Sequence, residues 1–83
     1  MAYSKTDIQQ GFYETVGKVF NLNTDDLTAA MNWKEDLNVK SVHGMKLCAY
    51  LNHKFQIKLP MSNLIECNTL GDAVDMLDKF IND

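Results

Sequence analysis

Apolar side chains in this chain recur at the three- and four-residue spacing of helices and nowhere alternate over the length of a strand. Ile8, Phe12, Val16, Val19 and Phe20 make the first such stripe, and Thr6 with Gln9 reads as a capping box before it, so a helix is predicted from about Asp7 to Phe20. Asn21 to Asn38 breaks the periodicity. Asn, Thr and Asp cluster there among Leu22, Leu27, Met31 and Trp33, which predicts a long connection ordered by isolated apolar anchors rather than by its own hydrogen bonds. Periodicity returns with Leu47, Cys48, Leu51 and Phe55, for which Ser41 is a suitable N-cap, giving a second helix over Val42 to Phe55. Pro60 stops continuation, Ser62 opens a short turn from Asn63 to Glu66, and Leu64 and Ile65 are placed to cover the core. Thr69 and Asp72 begin a last helix whose stripe is Leu70, Ala73, Val74, Leu77, Phe80 and Ile81.

With 83 residues, 46% of them hydrophobic and 23% charged, the chain has material for a single core and one domain spanning 1–83. A domain of this size buries only about 60% of the surface its unfolded chain exposes, so its stability is modest. No apolar run approaches a membrane span and the first ten residues lack a secretory pattern, so the chain reads as cytoplasmic. Cys48 and Cys67 lie within apolar stretches and read as two buried thiols, in preference to a disulfide. The net charge of −3 is unevenly spread: between Leu37 and Ile65 there is no Asp or Glu, while Lys40, Lys46, Lys54 and Lys58 all fall there.

The chain lacks the spacings that define nucleotide loops, zinc sites and serine hydrolases. Asn21, Asn23 and Asp25 imitate the start of a calcium loop, but Asp26 stands where its glycine belongs and Asn32 where its final Glu belongs. His43 and His53 are separated by about 15 Å along a helix, too far to share a metal. Ser41 and His43 point apart and have no orienting carboxylate, so no catalytic residue and no metal site are assigned, and the chain is not read as an enzyme. Nucleic-acid binding fares poorly too, because the chain has a pI near 5.2 and few aromatic residues beside its lysines.

What remains is an ordered series: Glu35-Asp36-Leu37, then Asn38-Val39-Lys40-Ser41-Val42, an amphipathic helix with Leu51 and Phe55, Leu59-Pro60, and a Thr69-capped helix. In this the sequence resembles the acyl carrier protein family over nearly its whole length. The resemblance implies an all-α, four-helix bundle with a long first loop and a short third helix. It further implies a covalent 4′-phosphopantetheine on Ser41, attached by a phosphopantetheinyl transferase and holding an acyl group as a thioester. Such a phosphoprotein would be a monomeric carrier serving acyl-loading and acyl-transfer enzymes of fatty acid, other lipid or secondary metabolism, with the chain sheltering between the second and third helices. Two positions depart from the family pattern. Lys40 replaces the Asp that helps the transferase hold magnesium, which implies slower loading, and Val42 replaces Leu. Taken alone, Ser41 reads as a plain helix cap, and the alternative for the whole chain is an unmodified interaction module of the same fold.

A helical wheel divides the second helix into a core side (Leu47, Cys48, Leu51, Phe55), a basic side (His43, Lys46, Tyr50, His53, Lys54) and an apolar strip (Val42, Met45, Ala49). The strip is either covered by Trp33 or the third helix, or left open for partners. With Lys40, His43, Lys46 and Lys54 it forms the candidate partner surface, and the lysines imply a partner with acidic groups.

Overall fold

The computed structural model describes residues 3–82, and of Ser41 the backbone alone. The first helix, α1, spans Lys5–Phe20 and begins two residues before the expected start. The Ser4 hydroxyl, and not Thr6, caps it by accepting from the Asp7 N–H at 3.1 Å, which satisfies a first-turn donor the helix cannot. The far end turns on Asn21, whose φ of 58° is left-handed, and the Leu22 N–H bonds back to the Gly17 carbonyl at 2.8 Å. A Cβ on residue 17 would lie 2.8 Å from the Leu22 carbonyl oxygen, so this reversal requires glycine.

The long connection contains a single 3-10 turn, Thr24–Asp26, capped by the Asn23 side chain. Leu27, Trp33 and Leu37 reach the core, whereas Met31 is half-buried and Leu22 stays exposed. The expectation of order by apolar anchors alone needs correcting. Asn32 Oδ1 accepts from the Lys34 and Glu35 N–H groups at 2.8 and 3.0 Å, and Asp36 Oδ2 accepts from the Asn32 N–H at 2.7 Å. Short polar side chains here take the place of a backbone ladder. The segment is also tied to the approach to the last helix: the Trp33 N–H donates to Asn68 O, Leu70 N–H to Met31 O and Gly71 N–H to Ala29 O, at 3.0, 3.0 and 2.9 Å.

The second helix, α2, spans Ser41–Phe55. Lys40 is extended and its carbonyl accepts from the Gly44 N–H at 3.1 Å, so Lys40 takes the N-cap position and Ser41 is the first helical residue, one place later than expected for a cap. The Lys40 N–H in turn donates to His43 Nδ1 at 3.1 Å. After Phe55 the chain reverses at Gln56 (φ 54°), and Asn52 Oδ1 accepts from the Leu59 N–H at 2.7 Å, drawing Leu59 into the core. Pro60 then precedes α3, Met61–Ile65, which starts before the expected Asn63 because the proline's fixed φ suits a helix entry. Leu64 is buried but Ile65 is 52% exposed, so only one of the two expected covering residues covers. Thr69 caps α4, Leu70–Asn82, by accepting from the Asp72 N–H at 3.1 Å, as its sequence predicts.

The helices α1, α2 and α4 surround a core in which Phe12, Val16, Leu47, Leu51, Phe55, Val74 and Leu77 are all buried as expected, joined by Ile8 and Leu70. Phe80 remains exposed at the end of α4. No strand occurs among the described residues, only an isolated antiparallel bridge between Asn32 and Thr69. Among the described residues no helix is long and apolar enough to cross a membrane.

Candidate functional site

The three sides of α2 separate in a way the wheel only partly anticipates. Leu47, Cys48, Leu51 and Phe55 are buried. The basic side splits. His43 is half-buried with its ring 4.4 Å from that of Phe20, Lys54 Nζ lies 3.7 Å from Glu14 of α1, and the Tyr50 ring lies 5.0 Å from Lys18 Nζ. These three residues face α1. Lys46 faces outward and makes no ion pair among the described residues. Beside it the apolar strip is uncovered: Val42 is 51% and Met45 62% exposed, and Ala49 is exposed as well. Neither Trp33 nor α3 closes over it, because Trp33 is turned into the core against Phe12, with their rings edge to face at 5.7 Å.

At the head of α2 lies a cleft of about 290 Å³ bounded by the end of the long connection, the first turns of α2, and α3. Its wall is formed by Trp33, Val39, Leu47, Leu64 and Ile65, with Lys34 and Lys40 as its charged members and Gly44 as its thinnest point. A Cβ on residue 44 would stand 3.5 Å from Met61 Sδ and 4.0 Å from Ile65 Cγ1, in the space between α2 and α3. Trp33 itself is 3% exposed, and its indole N–H is buried with no acceptor among the described residues. Lys40 and Gly44 bracket Ser41 in sequence, so the backbone of Ser41 starts α2 at this cleft; its side chain lies outside the described part of the structure. The first turn of α2 carries no acidic residue. Its leading N–H groups and the helix dipole make the position favourable for an anion.

Neither cysteine is set up as a nucleophile. Both thiols are free, burial pushes Cys48 above the ordinary thiol range, and Cys67 is raised by burial and further by the carboxylates of Asp72 and Glu66. The half-buried Cys67 corrects the expectation of two fully buried thiols.

A helical carrier bundle with a cleft at the head of its second helix is the class this fold and site define. The family described as "Phosphopantetheine attachment site" matches residues 10–77. An acyl carrier protein from Acidothermus cellulolyticus is 30% identical over 77 residues, covering 93% of this chain and 92% of the relative. The meromycolate extension acyl carrier protein of Mycolicibacterium aurum is 25% identical over 79 residues, covering 95% and 81% respectively. Among solved structures, an acyl carrier protein from Enterococcus faecalis superposes with a TM-score of 0.74 at 23% identity, covering 94% of this chain and 99% of the other, a likeness of fold. The chain belongs to the phosphopantetheine-attachment family of acyl carrier proteins. It is accordingly a carrier of acyl groups on a covalent 4′-phosphopantetheine and not an enzyme.

The residues present suit that group. Its phosphodiester calls for positive charge, which the first turn of α2 offers together with Lys34 and Lys40, and its apolar cargo calls for a cleft of the kind described. Glycine at position 44 leaves between α2 and α3 the space that a side chain there would take. The sequence alone singled out Ser41 and the outward face of α2; it missed Val39, Gly44 and Ile65 as cleft residues, and it read Trp33 as an anchor and as one of two alternative covers for the apolar strip.

Proposed function

We propose that Ser41 is the attachment residue, and that the chain presents its acyl group to acyl-loading and acyl-transfer enzymes across the outward ridge of α2. The observation that carries this reading is the apolar cleft opening at the first turn of α2, bracketed by Lys40 and Gly44. A phosphodiester at that turn meets unpaired backbone N–H groups, and Lys40 adds a cation in place of the family's Asp. The thiol at the arm's end supplies the acyl bond; the protein supplies the anchor, a shelter that excludes water and a surface for recognition. That surface is Val42, Met45, Lys46 and Ala49, with Lys40 at its head. His43 and Lys54, facing Phe20 and Glu14, hold α2 to α1 and stand behind it. The free Lys46 and the uncovered strip favour a partner with acidic groups around an apolar contact. The setting is the cytoplasm, the chain acts as a monomer, and its cargo enters lipid or secondary metabolism.

Intact-mass measurement after incubation with a phosphopantetheinyl transferase and coenzyme A tests this. Wild type gains one phosphopantetheine and Ser41→Ala gains none. A wild-type protein that stays unmodified beside a fully loaded control carrier, or a Ser41→Ala protein that still gains the group, overturns the assignment.

A further inference from the structure

The turn that begins at Ser41 is closed by a bond that depends on a proton. Lys40 is the N-cap of α2 and His43 its third helical residue, and the Lys40 N–H donates to His43 Nδ1 at 3.1 Å. Glutamate or glutamine at this third place closes a helix start in the same manner. Histidine differs from both because it changes charge between about pH 5 and 8. A backbone N–H can only donate, so Nδ1 carries a lone pair and the neutral ring keeps its proton on Nε2. A second proton goes to Nδ1 and leaves two donors facing each other.

The ring is poorly placed to turn away. It is half-buried, with its centroid 4.4 Å from that of Phe20, and a charged imidazolium is drawn to an aromatic neighbour more than a neutral one is. The Lys40 backbone therefore gives way. No counter-charge offsets the added proton. On α1, Glu14 lies at Lys54 and Lys18 at Tyr50; in the long connection, Asp36 accepts from the Asn32 N–H. On α2 itself the flanking charges are the cations Lys40 and Lys46, and the first turn has no acidic residue. No carboxylate stands within ion-pair distance of His43 among the described residues. We infer that His43 is a proton-operated latch on the head of α2. Neutral, it holds Lys40 extended and Ser41 in the first helical turn, ready for loading; protonated, it lets that turn go. The bond needs the neutral ring, so the hold is present above the range in which histidine titrates and is lost as pH falls through it. The link to loading rests on the reading that Ser41 bears the arm.

The Lys40 amide resonance of an isotopically labelled sample reads the latch directly. Between about pH 7.5 and 5.5 its protection from solvent exchange, corrected for the intrinsic effect of pH, falls about fivefold, as the loss of one hydrogen bond requires. His43→Gln, which offers an acceptor that takes no proton, keeps its protection at both values. Protection that is unchanged in wild type, or that falls equally in His43→Gln, overturns the inference. The wild-type measurement alone decides this where the variant does not fold. Loading by a phosphopantetheinyl transferase is then timed for both proteins by intact mass, and the transferase's own pH dependence cancels in their ratio. The ratio of wild type to His43→Gln falls about twofold or more over the same interval; a constant ratio overturns the link between latch and loading. A wild-type chain that takes up no group at either pH removes the assignment of Ser41 and with it that link, while the amide measurement still decides the latch.

Discussion

The two flanks of α2 carry similar residues and lead different lives. On the flank toward α1, His43 lies against Phe20, Tyr50 lies near the Lys18 ammonium and the Lys54 ammonium approaches Glu14. Here α1 comes so near that a Cβ on residue 11 would sit 2.8 Å from Phe55 Cζ and 2.9 Å from Lys54 Cε. On the opposite side, Val42, Met45 and Lys46 have no such partners among the described residues and α3 stands farther away. A cation's position in the fold, more than its presence in the sequence, decides whether another molecule can use it. The near flank holds the helix; the far ridge is available for recognition.

The largest effect that sharpens this contrast is on stability. Phe55→Ala, cutting a buried ring from the core side of α2 where it meets α1, costs about 3–5 kcal/mol, a large share of the marginal stability of a small domain. Met45→Ser, on the open ridge, changes stability by no more than about 0.5 kcal/mol. Urea unfolding of the two variants measures this, and similar losses would mean the ridge is packed after all.

The glycines of the two flanks form a second, smaller test with opposite signs. Gly11→Ala gains about 1 kcal/mol of helix propensity but meets overpacking of about 1–3 kcal/mol against Phe55 and Lys54, for a net loss. Gly44→Ala meets Met61 Sδ at an ordinary 3.5 Å and gains stability of up to about 1 kcal/mol while narrowing the cleft. Each kcal/mol moves the melting temperature of a domain this size by about 4–8 °C, so thermal unfolding resolves both signs. Two shifts in the same direction would show the helix spacings to be equivalent.

The smallest effects concern charge. Lys46→Glu slows association with the cognate acyl-transfer enzyme about fivefold at low salt, with the difference fading as salt screens it, and leaves stability within about 0.5 kcal/mol. Lys54→Glu reverses the pattern: it costs up to about 1 kcal/mol by replacing a half-exposed attraction to Glu14 with repulsion, and it changes association less than twofold. Stopped-flow kinetics at two salt concentrations, beside unfolding curves, distinguishes the two lysines. Equal slowing by both would return Lys54 to the partner surface.

Much of this arrangement is legible from residue order because helix burial follows local period: Phe12 and Val16, like Leu47 and Leu51, are predicted core residues and are buried. The Thr69 cap is legible for the same reason, since its bond to the Asp72 N–H spans three residues. At the other end Thr6 reads as the cap, whereas it is the Ser4 hydroxyl that meets a first-turn N–H, which local spacing does not decide. Lys54 reads as free from its own helix, which offers it no acidic neighbour; Glu14 belongs to α1 and is brought near by packing. Trp33 reads as an anchor, which it is, but its place in the wall of the cleft follows from how α2 and α3 pack around it. Ser41 is legible only through the ordered series around it, because a serine opening a helix has many uses.

The backbone bonds from Trp33 to Asn68, Leu70 to Met31 and Gly71 to Ala29 tie one jamb of the cleft into the frame of the bundle. One side of the opening is the long connection, bolted to the start of α4; the other is α3, a single helical turn of 5 residues slung between Pro60 and Thr69. The Trp33 wall is thereby held in register with the start of α4, while α3 closes the other side by burying Leu64.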